Sequence, residues 1–187
     1  KGRTRLRFEI LSSQWDLRHA AVLDLGCGFG DFYGFLKQRL GNGFTYCGVD
    51  INPRFIEVAR DQYPEAEFQV ANIMDTPLDR RFDYGFASGL FNDVLEDNIR
   101  FVRAGLSRLN ACCRMGFGAN FLSNRVDYQR AHVFHVDPVW ILELCYQYAN
   151  NVVLRNDYMP YEFSVFVNTG TPIEPDVWVY GDFLPYM

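Results

Sequence analysis

Apolar residues fall into two kinds of run that alternate along the chain. The first kind is short and continuous: "AAVLDL" (20–25), "FTYCGVDI" (44–51), "AEFQVANI" (66–73), "FDYGFASGLF" (82–91) and "CCRMGFGANF" (112–121). Unbroken apolar runs of this length predict strands buried on both faces. The second kind has helical spacing. "DFYGFLKQRLG" (31–41) stops at Gly41, and Pro53 opens "PRFIEVARDQYP" (53–64). A third helix is predicted over 94–109 from Val94, Leu95, Ile99, Phe101, Val102, Leu106 and Leu109. "PVWILELCYQYA" (138–149) follows Asp137 as N-cap, and residues 3–15 predict a helix at the start. Two last strands, "NVVLRNDY" (151–158) and "EFSVFVNT" (162–169), are joined by only a few residues around Pro160. That link is too short for a crossover, so the pair should form an antiparallel hairpin.

Strands that alternate with helices require right-handed crossovers and a mostly parallel sheet. The pattern predicts a doubly wound α/β fold of seven strands, with helices on both faces and an antiparallel C-terminal hairpin. One domain spans 1–187. Within it, residues 1–19 form an N-terminal helix or lid, and 169–187 a Pro/Gly-punctuated tail that is either a docking strand or a disordered end.

Composition narrows the function. Hydrophobic residues at 49% support a full core, and 23 acidic against 18 basic residues argue against a dedicated nucleic-acid binder. The basic run Lys1, Arg3, Arg5 and Arg7 reads as the solvated face of the first helix. Cysteines 27, 47, 112, 113 and 145 have no paired spacing, which fits buried thiols in a reducing, cytoplasmic setting. No stretch is long and apolar enough to cross a bilayer.

The stretch "VLDLGCGFGD" (22–31) carries the chemistry. Gly26, Gly28 and Gly30 lie between the first strand and first helix, where doubly wound folds hold ligands. The third glycine of a dinucleotide-binding loop would stand at position 31, which is Asp31. A carboxylate at a helix N-terminus repels a pyrophosphate, so the loop suits a phosphate-free and even cationic ligand. Asp50 ends the second strand, where a carboxylate can take both hydroxyls of a ribose or cap the helix opened by Pro53. Asn72 or Asp75, after the third strand, could meet an adenine edge.

In this order and spacing, "VLDLGCGFGD", "YCGVDINPRFIEVAR", "FQVANIMD" and "FDYGFASGLF" resemble the class I S-adenosylmethionine-dependent methyltransferases, which have a Rossmann-like fold. The resemblance covers roughly residues 20–120. It implies S-adenosylmethionine as cofactor, with Asp24 and Gly26 at the methionine amino group. Cys27, Gly28 and Gly30 would run beside the cofactor, Asp50 would hold the ribose, and Ile51 and Ile73 would flank the adenine. Asn72 stands where that family often has an Asp accepting from the adenine amino group. Ser88 to Phe91 would run under the sulfonium and face the acceptor, with Asn92 next to them.

The expected reaction is methyl transfer to a small-molecule acceptor, on O, N or C, mainly by positioning and desolvation. "SGLFN" (88–92) differs from the Asn/Asp-Pro-Pro-aromatic motif of amino-methylating nucleic-acid enzymes. The loop 120–138 offers Asp127 as an acceptor contact and Tyr128, His132 and His135 as candidate bases. The hairpin turn offers Tyr158, Tyr161 and Glu162, which either project toward the acceptor or edge the hairpin. Two histidines three apart, without further ligands nearby, do not make a metal site. The competing readings are a non-catalytic module that keeps the fold, a nicotinamide-dependent oxidoreductase, which Asp31 disfavours, and a remoter aminopropyl transferase.

Overall fold

The computed structural model describes residues 2–72, 78, 80–170 and 178–186. Its elements, in chain order, are α1 (Gly2–Ser12), β1 (Ala21–Leu25), α2 (Asp31–Leu40), β2 (Thr45–Asp50), α3 (Pro53–Gln62), β3 (Glu67–Val70) and β4 (Phe82–Ala87). They continue as α4 (Asn98–Cys112), β5 (Cys113–Ser123), β6 (His135–Val136), α5 (Pro138–Cys145), β7 (Asn151–Met159) and β8 (Glu162–Asn168). A 3-10 helix covers Gly181–Tyr186.

The strand order is β3-β2-β1-β4-β5-β8-β7, with the short β6 paired to the far end of β5. The pairs among β1 to β5 are parallel, and β8 is antiparallel to both β5 and β7. This is the expected Rossmann-like, doubly wound sheet with its C-terminal hairpin. The eighth strand was not expected, because two residues are too few for a periodic signal.

Alternation along the strands sorts side chains onto two faces. Val22, Tyr46, Phe68, Phe86 and Phe166 pack with Phe8 and Leu11 of α1, Phe32 and Leu36 of α2, and Ile56 of α3. Leu23, Leu25, Val49, Phe117 and Val165 face the other way, against Leu106 and Leu109 of α4 and Ile141 and Leu144 of α5. All five cysteines are buried free thiols. Burial pushes Cys47 and Cys145 up to about 12.

Several expected boundaries move. α4 starts at Asn98, not 94, because the Asp97 side chain accepts from the Arg100 backbone N–H and caps the helix there. Val94 and Leu95 are exposed ahead of it. β4 ends at Ala87, and Ser88–Phe91 is a turn. α1 ends at Ser12, so Trp15 lies outside it, stacked on Tyr84 and donating from Nε1 to Asn168 Oδ1 at 2.7 Å. That places Trp15 near the amino ends of β4 and β5, on the opposite edge from the glycine loop. The α1 basic run is not uniformly solvated. Arg7 is half-buried and makes two hydrogen bonds, at 2.8 and 2.7 Å, with the carboxylate of Glu162.

Candidate active site

The glycine loop is stitched to the end of β2. Gly26 and Cys27 donate their backbone N–H groups to Val49 O at 2.7 and 3.1 Å. Gly28 N–H donates to Asp50 Oδ2 at 3.0 Å, and Asn52 N–H donates to Asp50 Oδ1 at 2.9 Å. Asp50 therefore ties loop to strand while keeping further lone pairs for a ligand. It does not cap α3; Asn52 does, accepting from Arg54 N–H at 3.0 Å.

Two glycines are required for different reasons. At Gly26 φ is +77°, and an added Cβ would lie 2.7 Å from Leu90 Cδ1. Gly26→Ala is expected to cost about 2 kcal/mol, from the left-handed φ and the clash, and to lower the urea midpoint by the corresponding amount. At Gly28 φ is +54° and an added Cβ would meet nothing within 4 Å, so the backbone there faces open space that a ligand can use. Cys27 points inward instead, near Gly48, and burial raises its thiol far above the ordinary value.

A cleft of about 70 Å³ beside the loop is lined by Gly26, Asp50, Ile51, Asn72, Leu90 and Phe101, among others. Ile51 is 64% exposed there, an apolar surface suited to a base. Leu90 belongs to the Ser88–Phe91 segment expected beside the cofactor, whereas Phe101 was not expected here. They come from the β4 turn and α4, and only the fold brings them to β2. Ile73, expected to flank adenine, lies outside the described residues, as does Asp75.

Asp24 is 1% exposed; its Oδ2 accepts from Tyr46 Oη at 2.6 Å, and Oδ1 has no partner. Burial first, and repulsion from Asp50 second, push it up to about 7, against the lowering effect of the Tyr46 hydrogen bond. Ser88 Oγ, Asn92 Oδ1 and Asn120 Nδ2 are also buried without partners among the described residues. Asn120 Oδ1 accepts from Gly89 N–H at 2.8 Å. Unpaired buried polar atoms are rare, and these gather at the carboxyl ends of β1, β4 and β5. The donor set fits S-adenosylmethionine: a carboxylate for its ammonium, a carboxylate for its ribose, and open backbone between them.

A larger cavity, about 570 Å³, opens on the same edge of the sheet. α1 contributes Arg3 and Arg7, the 123–135 loop contributes Arg125, Asp127, Tyr128, Arg130 and His135, and the hairpin turn contributes Tyr161 and Glu162. The Arg7 guanidinium lies against the β4 turn, since a Cβ built on Gly89 would sit 3.3 Å from its Nη1. The loop is anchored to that turn by Phe134 N–H donating to Asn92 O at 2.8 Å and by an Asp93–Val133 bridge. Arg7 and the anchored loop thus connect the cavity to the Ser88–Asn92 segment.

The residues expected at the acceptor separate here. Asp127, Tyr128, His135 and Tyr161 line the cavity; His132 does not. Tyr128 stands at the rim, 76% exposed. His135 Nδ1 lies 2.9 Å from Ser123 O, which fixes that nitrogen as the donor, and Nε2 accepts from Arg130 N–H at 3.3 Å. Phe91 is core, stacked on Phe121 at 5.0 Å. Tyr158 lies behind the wall, 2.8 Å from Ser164 Oγ and donating to Glu162 Oε1 at 3.3 Å, and burial raises its phenol. Glu162, expected with the hairpin turn, lines the cavity, whereas the four arginines were missed as site residues. Arg3 and Arg7 stand one helical turn apart, but nothing in the sequence relates them to residue 162.

A parallel sheet with a glycine loop at its first crossover, a carboxylate closing β2 and a phosphate-free donor set defines a Rossmann-like, class I S-adenosylmethionine site. Known proteins agree. The methyltransferase-domain family matches residues 22–116. Methyltransferase Rv1506c of Mycobacterium tuberculosis, so named, is 33% identical over 154 residues, covering 79% of this chain and 92% of its own length. A magnesium protoporphyrin IX methyltransferase of Synechocystis, solved with bound S-adenosylmethionine, superposes with a TM-score of 0.67 at 15% identity, covering 89% of this chain and 79% of that one. Human N-acetylserotonin methyltransferase, also solved with S-adenosylmethionine, gives 0.65 at 16% identity, covering 91% and 52%. The chain belongs to the methyltransferase-domain family and is an S-adenosylmethionine-dependent methyltransferase.

Proposed function

We propose that the chain methylates a small molecule bound in the 570 Å³ cavity. The observation that supports this reading is the connection of that cavity to the Ser88–Asn92 turn, through Arg7 and the anchored loop. The volume matches small-molecule sites, which run from about 300 to 1,000 Å³. The named acceptors of the two superposed enzymes, a porphyrin and N-acetylserotonin, are small molecules as well.

When bound, the cofactor supplies a methyl group activated by a sulfonium. Asp24 and Gly26 would hold its amino end, Asp50 its ribose, and Ile51 and Asn72 its base. Ser88 and Asn120 would present polar atoms beneath the reacting centre. The chain's part is to hold acceptor and donor in line and keep water out, which is worth several kcal/mol of barrier without a strong base. Both ring nitrogens of His135 are engaged, so its Nε2 would meet an acceptor only by displacing Arg130 N–H.

The test is to incubate the chain with isotope-labelled S-adenosylmethionine and a cell extract split into low- and high-mass fractions. Label is expected in the low-mass fraction. Label confined to protein or nucleic acid would overturn the small-molecule reading.

A further inference from the structure

The charge of the acceptor cavity is opposite to that of the chain. The sequence carries a net charge of -5, yet the cavity is lined by four arginines against two carboxylates. Two of those arginines are already committed. Arg7 is held by Glu162, itself 2% exposed, and Arg125 donates to Asp137 at 2.8 Å. The other two are not. Arg3 lies over the Tyr161 ring, 5.7 Å from its centroid, and neither Arg3 nor Arg130 forms an ion pair among the described residues. The lining carboxylate left to oppose them is Asp127, exposed towards solvent.

Arg3 is placed through its helix and a ring contact, and Arg130 through its backbone. Arg3 and Arg7 lie one turn apart on α1, so the Arg7–Glu162 clamp fixes the helix that presents Arg3. A cation–π contact with the Tyr161 ring restrains Arg3 further. Arg130 is held by its backbone, which donates to His135, so its side chain leaves from an anchored point. The phenols of Tyr128 and Tyr161 add neutral donors on the same wall. A planar guanidinium fork with no partner is a bidentate receptor for carboxylate or phosphate.

From this geometry we infer that the acceptor is an anion, a small molecule whose carboxylate or phosphate group is seated between Arg3 and Arg130. The inference rests on the cavity being the acceptor site. It adds that α1, at the far end of the chain from the hairpin, selects the substrate. Asp127 opposes the anion and tunes its affinity.

The test uses the full chain saturated with S-adenosylhomocysteine, titrated calorimetrically with inorganic phosphate, succinate and uncharged dimethyl succinate. At least one anion is expected to bind, to weaken with added salt, and to weaken at least about tenfold in the Arg3→Gln/Arg130→Gln double variant. Phosphate binding alone assigns the acceptor group as a phosphate, and succinate binding alone as a carboxylate; the diester should not bind. Asp127→Asn should strengthen the same anion a few-fold, a gain that misfolding cannot produce. No anion binding, or equal binding in the double variant, overturns the inference if S-adenosylhomocysteine still binds. Failure of the wild-type chain to bind S-adenosylhomocysteine would instead overturn the cofactor-site assignment on which it depends.

Discussion

Asp50→Ala is expected to weaken S-adenosylhomocysteine binding by about 100- to 10,000-fold, since two hydrogen bonds to a charged acceptor are worth about 1.5–3 kcal/mol each. Asp50 has two duties at this position. Its carboxylate accepts from Gly28 and Asn52 N–H groups, which pins the glycine loop to β2. Its remaining lone pairs face the cleft lined by Ile51 and Asn72. Asp50→Asn separates the two duties, because its single carbonyl oxygen can keep only part of the loop contact. Calorimetry should place it between wild type and Asp50→Ala, with far-UV circular dichroism unchanged in both. Tight cofactor binding by Asp50→Ala would remove Asp50 from the ribose site.

The second large effect belongs to Asp24, where stability and function oppose each other. Its carboxyl is raised from an ordinary 3.8 to about 7 by burial. An acid raised in the fold stabilises the protein while protonated, below about pH 4, and that stability is progressively lost as pH rises towards 7. From 3.8 to about 7 the difference amounts to roughly 4 kcal/mol once both states are ionised. Asp24→Asn removes the buried charge and keeps an acceptor for Tyr46, so it should stabilise the cofactor-free chain at pH 8. A gain of about 2 kcal/mol would raise Tm by about 4–8 °C in a chain of this size, and should shrink by pH 5, where the folded wild-type carboxyl is protonated.

The same substitution should weaken cofactor binding about 100-fold at pH 8, because the ammonium loses its charged partner. Below about pH 7 the wild-type carboxyl must ionise to meet an α-ammonium, which stays charged there. Binding should therefore release up to one proton and tighten as pH rises from 5 to 7. Calorimetry in two buffers of different ionisation enthalpy measures this directly. Proton release that persists in Asp24→Asn would assign it to another group.

Much of this site lay open in the chain because it is local. Gly26, Gly28, Gly30 and Asp50 belong to one β-loop-α-β passage, so spacing alone set loop, strand end and carboxylate in register. Asp31 in place of a glycine was enough to favour a ligand without phosphates. Asn72 reaches the cleft for the same reason, since it lies just past the third strand, at the end of the second crossover.

Residues whose role depends on distant partners were read less well. The family resemblance puts Phe91 at the acceptor, but stacking on Phe121, with Phe163 beyond it, makes it core. Val94 and Leu95 fit a helical period, yet the Asp97 cap starts α4 after them. Arg7 looks like one of four solvated cations until β8 places a buried carboxylate against it.

The sequence by itself determined the order of elements, the doubly wound sheet with its reversed hairpin, and the cofactor loop. These depend on periodicity and on neighbours within one crossover. Only the tertiary structure decided the cavity proposed for the acceptor, because its walls come from residues 3–7, 122–135 and 160–162. Charge pairing across such separations leaves no periodic trace, so which arginines are neutralised and which stay free is fixed only when α1 packs beside the hairpin.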